Sequence, residues 1–118
     1  MKLPGPDHPI TIEPAKGRVV IRFAGTVIAD TTHALELREA AYPAVLYIPR
    51  ADAHMDHLTR AAHSSHCPYK GDASYFNLAA GEAHAANAVW SYETPYPAMA
   101  AIKDHLAFYP QHVAVERS

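Results

Sequence analysis

The chain of 118 residues has one cysteine, one tryptophan and no long apolar run. A single thiol cannot form an internal disulfide, so the chain fits a reducing compartment, and its length is enough to bury a core without staples. No stretch approaches the roughly 20 apolar residues of a membrane span. The start, MKLPGPDHPITIEP, holds four prolines and lacks the apolar segment of a signal peptide. A cytoplasmic protein with no membrane partner is the expectation. A basic excess is missing too. Ten Lys and Arg against twelve Asp and Glu give a formal net charge of −2, which leaves little to neutralise phosphates and argues against a nucleic-acid partner. No close carboxylate pair suits glycosidase-type acid/base work. Lys70-Gly71 lacks the GxxxxGK[ST] frame of a phosphate-binding loop.

What the chain does have is alanine, tyrosine and histidine. The hydrophobic share is 49%, but 23 of those residues are Ala, and Tyr is as common as Leu or Val. The core is therefore expected to lean on aromatics for its volume. Nine histidines stand beside the lone cysteine.

The pattern along the chain divides into an extended, Pro-rich N-terminal arm over residues 1–9 and a single domain over residues 10–118. Arg18–Phe23 and Thr26–Ala29 read as two strands joined by a tight turn at Ala24-Gly25. His33–Glu39 alternates with period two, and Ala44–Ile48 is a compact apolar run between Pro43 and Pro49, a buried strand. Residues 50–72 are polar and His-rich and predict a long central loop. Ser74–Ala79 and Ala85–Tyr92 predict a hairpin across Ala80-Gly81-Glu82. One helix is expected around 96–105, with Pro97 in its first turn and Ala98, Ala101 and Ile102 forming its buried face. The limited core volume and the arm leave room for a homodimer, the commonest symmetric assembly.

Chemistry concentrates in the central segment. His54/His57 and His63/His66 form two HxxH pairs, with Cys67 adjacent. Imidazole and thiolate are zinc ligands, but HxxH in a loop is far less specific than paired CxxC, and surface histidines are the simpler account. No metal or other cofactor is assigned. Cys67 lies between His66 and Lys70, whose positive charges would lower a thiol pKa; the plainer alternative is a buried, inert cysteine. Lys70 suits a phosphate or carboxylate as a point charge, against the alternative of a solvated lysine. Trp90 and Tyr92 fall on one face of a strand, whereas Tyr75 and Phe76 fall on opposite faces.

The segments CPYKGDASYF (Cys67–Phe76), VWSYETPYPA (Val89–Ala98) and HLAFYP (His105–Pro110) resemble the domain of unknown function 427 family. YIPR (Tyr47–Arg50), Met55-Asp56, His63 and RFAGTVIADT (Arg22–Thr31) fit the same pattern; His54 and His57 do not. The resemblance runs from about Ile10 to Glu116. It implies a small, mainly β (α+β) domain similar to the β-tent group, which includes methionine sulfoxide reductase B and zinc-binding chaperone-like modules. Two small antiparallel sheets, the central loop and the one helix are expected, without the CxxC knuckles of those relatives. The family is at times described as nucleotidyltransferase-like, yet this sequence has no carboxylate pair for magnesium. The positions matching the strongest motif are His63, Cys67, Lys70, Gly71, Tyr75, Trp90 and Tyr92, with Gly71 serving backbone geometry.

The expected function is small-ligand binding, with or without a reaction, in a pocket formed by Cys67, Lys70 and the Trp90/Tyr92 face, with Tyr75 beside it. Lys70 would hold an anionic group, Cys67 would be a reactive or lining thiol, and His63 or His66 a proton-transfer partner. The alternatives are a structural or protein-interaction module, and a His/Cys metal-binding domain.

Overall fold

The first hairpin follows from its turn. Ala24 and Gly25 both take positive φ, 49° and 81°, the backbone that a two-residue hairpin turn demands. They join β2 (Val19–Phe23) to β3 (Thr26–Thr31), and alternation in β2 buries Val19, Ile21 and Phe23. The computed structural model describes residues 1–118. It is mainly β, with three antiparallel sheets. β1 (Ile10–Pro14), β4 (Leu35–Glu39) and β5 (Val45–Tyr47) form one, in the order β1-β4-β5. β10 (Ala114–Arg117) pairs with β2 to complete a second, β10-β2-β3. The third has the order β6-β7-β8-β9, from β6 (Leu58–Cys67), β7 (Gly71–Ala80), β8 (Ala83–Ser91) and β9 (Ala107–Phe108). No helix is long and apolar enough to cross a membrane.

Three expectations are corrected in detail. The sheets number three, because the chain's last strand returns to pair with β2 rather than extending the central sheet. The region 50–72 is not a long loop. It holds two short 3₁₀ turns, Arg50–Asp52 and Met55–His57, and the ten residues of β6. β6 is an edge strand exposed along most of its length, so it lacks the apolar alternation that marks a half-buried strand. The helix at 96–105 is a 3₁₀ segment, Pro97–Ile102, interrupted at Met99 (φ −110°, ψ 17°). Its buried residues are Met99 and Ile102, three apart as a three-residue turn requires, while Ala98 and Ala101 are exposed.

The four-stranded sheet packs on both faces. On one side Phe76, Leu78 and Val89 join Val19, Ile21, Phe23 and Ile28 of the β2–β3 hairpin. On the other, Ala73, Tyr75 and Tyr92 join Leu37, Tyr47, Met99 and Ile102. Tyr75 and Phe76 thus enter different cores, as their adjacency on a strand dictates. A carboxylate clamp ties the chain together behind this sheet. Glu93 accepts from Arg60 at both oxygens (2.8 and 2.9 Å) and from Arg50 at 3.0 Å. Arg50 also donates to Ser91 Oγ and to the Asp104 carbonyl. Both guanidinium groups lie over the Phe76 ring, at 5.4 and 5.0 Å.

Candidate functional site

The turn between β6 and β7 sets the site. Gly71 has φ 109°, a backbone that L side chains rarely adopt, and a Cβ there would also meet the Thr94 carbonyl at 3.5 Å. The Lys70 carbonyl accepts from the Tyr96 amide at 3.0 Å, pinning the turn to the segment after β8. Lys70 is thereby aimed inward. It is only 6% exposed, which is rare for a lysine without a partner. Its partner is Glu39, at the end of β4: Nζ donates to Oε1. Nζ also lies 3.8 Å from Cys67 Sγ.

This ion pair stands in the wall of a cleft of about 400 Å³ between the β1-β4-β5 sheet and the four-stranded sheet. Leu37 and Val45 line one side, and Cys67, Tyr75, Trp90, Tyr92 and Tyr109 the other, with Tyr47 between. The rings interlock. Tyr47 meets Trp90 edge-on at 6.4 Å, and Trp90 meets Tyr109 at 4.5 Å. Trp90 Nε1 donates to Tyr47 Oη at 3.4 Å, and Tyr75 Oη shares a hydrogen bond of 2.8 Å with Ser65 Oγ. The rim is formed by Tyr42 and Pro43 of the β4–β5 loop.

Electrostatics keep the phenols neutral and the carboxylate charged. Burial pushes the Tyr47 and Tyr92 hydroxyls well above their usual range, and Tyr109 is pushed up to about 12, mainly by burial. These groups offer hydrogen bonds, not phenolate chemistry. Burial opposes ionisation of Glu39, but hydrogen bonds from Lys70 and His8 outweigh it and hold the carboxyl below its ordinary value. The cleft is therefore close to charge-balanced.

Of the residues expected at a site, Cys67, Lys70, Tyr75, Trp90 and Tyr92 come together in one cleft. His63 and His66 do not line it. His66 follows strand alternation away from Cys67 and pairs with Asp72 at the surface, Nδ1 to Oδ1 2.7 Å. His63 lies edge-on to the Tyr75 ring at 4.5 Å. The histidine that does reach the site's ion pair is His8. Its Nε2 is 2.7 Å from the second Glu39 oxygen, and its ring stacks on Tyr69 at 4.1 Å. The Lys2 amide donates to the Pro68 carbonyl and the Ala40 amide to Pro9, which holds the N-terminal arm against the Lys70 turn and the end of β4. Glu39 was missed because it lies 31 residues from Lys70; the only sequence signal is an acidic residue closing an alternating strand. Along β6 and the turns before it, the HxxH residues are spread out. No three His, Cys, Asp or Glu side chains gather as a metal-ligand group.

A mainly β domain whose sheets enclose a tyrosine-rich cleft with one buried ion pair is the class of protein defined by this geometry. The chain belongs to the family described as Domain of unknown function (DUF427), whose model, short name NTP_transf_9, matches residues 11–118. No curated protein matches the chain.

Proposed function

We propose that the domain binds a small amphipathic molecule in the tyrosine-rich cleft. The apolar body of the ligand rests against Trp90, Tyr92 and Tyr109, and its polar head meets Lys70 and Glu39. The observation that carries this reading is the Lys70–Glu39 pair itself. Two charges removed from water gain little net stability, and apolar residues of similar size would serve a purely structural core as well or better. Placed in the wall of a cavity of about 400 Å³, the pair retains spare hydrogen-bonding capacity: an ammonium has three donors and a carboxylate several acceptor positions.

Charge balance defines the head. Lys70 alone suits an anion, but Glu39 already matches it, so a zwitterion or an amide can engage both groups without displacing either. Cys67 is a lining thiol in this reading, and no reaction is assigned to it. The single free cysteine supports a reducing, cytoplasmic setting.

The test is a thermal-shift series with four probes sharing one phenylalkyl body: phenylalanine, 3-phenylpropanamide, 3-phenylpropanoate and phenethylamine. A ligand stabilises the state it binds by mass action. Phenylalanine and the amide should raise Tm above the anion and the cation, and Lys70→Met should abolish the shift. Glu39→Gln should move the preference to 3-phenylpropanoate. Equal shifts in wild type and Lys70→Met, or no shift with any probe, would refute the proposal and leave the structural-module reading in its place.

A further inference from the structure

The cleft has an apolar neighbour. A groove of about 370 Å³ is lined by Leu46, Ile48, Phe108, Pro110 and Val115, with Ile21 at its base, and no charged side chain borders it. Two of the four large hydrophobic residues that the protein leaves exposed stand on its walls, Tyr42 at 68% and Val115 at 44%. The partition between groove and cleft is one strand thick. On β5, Tyr47 faces the cleft while Leu46 and Ile48 face the groove. The same alternation after β9 sends Tyr109 into the cleft and Phe108 and Pro110 into the groove. At the open end of β5 the partition stops. Tyr42, Pro43, Val45 and Trp90 border both spaces.

We infer that groove and cleft are two halves of one bipartite site, and that the ligand carries a polar head for Lys70 and Glu39 and an apolar arm that crosses Trp90 into the groove. This rests on the reading of the cleft as a ligand site. Continuity of the walls commits the groove to that arm: a molecule held at the ion pair and extending past Trp90 meets the groove without crossing solvent-facing charge. The division of labour follows from the linings. The cleft supplies hydroxyls and a charge pair for orientation, and the groove supplies only apolar surface, so affinity grows with the arm's length without regard to its detailed shape. The substrate class is a zwitterionic or amide head on a linear or aryl apolar chain. Tyr42, exposed at the shared rim, is placed to cover the chain where it crosses.

The experiment uses straight-chain L-2-aminoalkanoic acids of four to ten carbons as probes. Trp90 is the only tryptophan, so its fluorescence reports on the crossing point, and calorimetry gives the affinities. Affinity should rise about fourfold with each methylene that enters the groove and then level off. Leu46→Arg should abolish this length dependence and leave the four-carbon probe's affinity unchanged. Val115→Arg, on an exposed strand, does the same if Leu46→Arg fails to fold. Lys70→Met should abolish binding of every member. If the short probe binds and longer ones bind no better, the cleft is a site and the bipartite inference is overturned. No binding by any member overturns the cleft reading and this one with it. Length dependence that survives both groove variants, or sedimentation showing a dimer split by Val115→Arg, assigns the groove to something else and overturns the inference.

Discussion

Glu39 and Glu93 are each held by two side-chain partners, yet the two regions are built to different ends. Glu93 is gripped by two arginines, whose planar guanidinium groups make several directed bonds and cannot lose their charge. Those bonds tie together the 3₁₀ turn at Arg50, strand β6 and the chain leaving β8, while Phe76 is covered beneath. Glu39 is met by a lysine and a histidine, a compact ammonium and a ring that titrates near neutrality in its free form. One region fastens elements; the other holds charges in the wall of a cavity with bonding capacity left over. A carboxylate held by two side chains is thus not one kind of object. What matters is whether the partners spend their donors on each other and on the backbone, or leave some pointing into open space.

The largest expected effect comes from orphaning the buried lysine. Glu39→Ala should cost about 3 kcal/mol of unfolding free energy, because Lys70, itself buried, is left without a counter-charge. The double variant Lys70→Met with Glu39→Leu should recover most of that loss while losing all probe binding. Chemical denaturation of the three proteins measures both points, and a double variant as unstable as Glu39→Ala would mark the pair as a fastener like Glu93.

Glu93→Ala should cost less, about 2 kcal/mol, because the arginines it abandons are partly hydrated and can turn to water. Its acid dependence is the sharper signature. Arg60 above all holds the Glu93 carboxyl at about 2, against 4.5 for an unperturbed glutamate. A folded-state pKa below the unfolded one means that the stabilisation is complete above about pH 4.5 and is lost as pH falls through about 2. Urea midpoints measured across that window should fall less steeply in Glu93→Gln than in wild type. Identical slopes would show that the clamp contributes no linked stability.

The smallest effect belongs to the arm. His8→Ala removes one hydrogen bond and one stacked ring, for a loss of about 1 kcal/mol or less. Limited proteolysis should nevertheless cut residues 1–9 far faster in the variant. If the arm stays protected, Lys2 and Pro9 hold it through the backbone alone.

Much of this arrangement is legible in the sequence, and the rest is hidden for physical reasons. The turn at Ala24-Gly25, the apolar strand around Leu46 between two prolines, and the opposed faces of Tyr75 and Phe76 are local patterns, so short-range chemistry reveals them. The gathering of Cys67, Lys70, Trp90 and Tyr92 was also readable, because the end of β6, the turn that follows it and the end of β8 carry them in one sheet. β6 was not. An exposed edge strand has almost no buried face to write into its sequence, and a mostly polar or small-residue run looks the same in a ladder as in a loop. The 3₁₀ segment at Pro97–Ile102 misled in another way, since apolar residues at helical spacing occur there by composition while burial follows the three-residue turn of Met99 and Ile102. Glu39 was invisible as the partner of Lys70, and His8 as the partner of Glu39. Contacts spanning 31 residues are made by the fold of three sheets, and nothing local specifies them.

The pairing of β10 with β2 has a kinetic consequence. Arg22 faces Ala114 and Val19 faces Arg117, with further bonds between the backbones of Arg18 and Ser118. The β2–β3 hairpin can close early, but its outer ladder stays open until the segment after residue 113 has been synthesised and has found its way back across the whole molecule. Loop closure over such a span precedes any reward from the contacts made, which places this chain among slow-folding, millisecond-to-second topologies. During that interval Ile21 and Val20 lie on an unpaired strand edge. The newly made chain is therefore most exposed to misassociation just before its last strand docks.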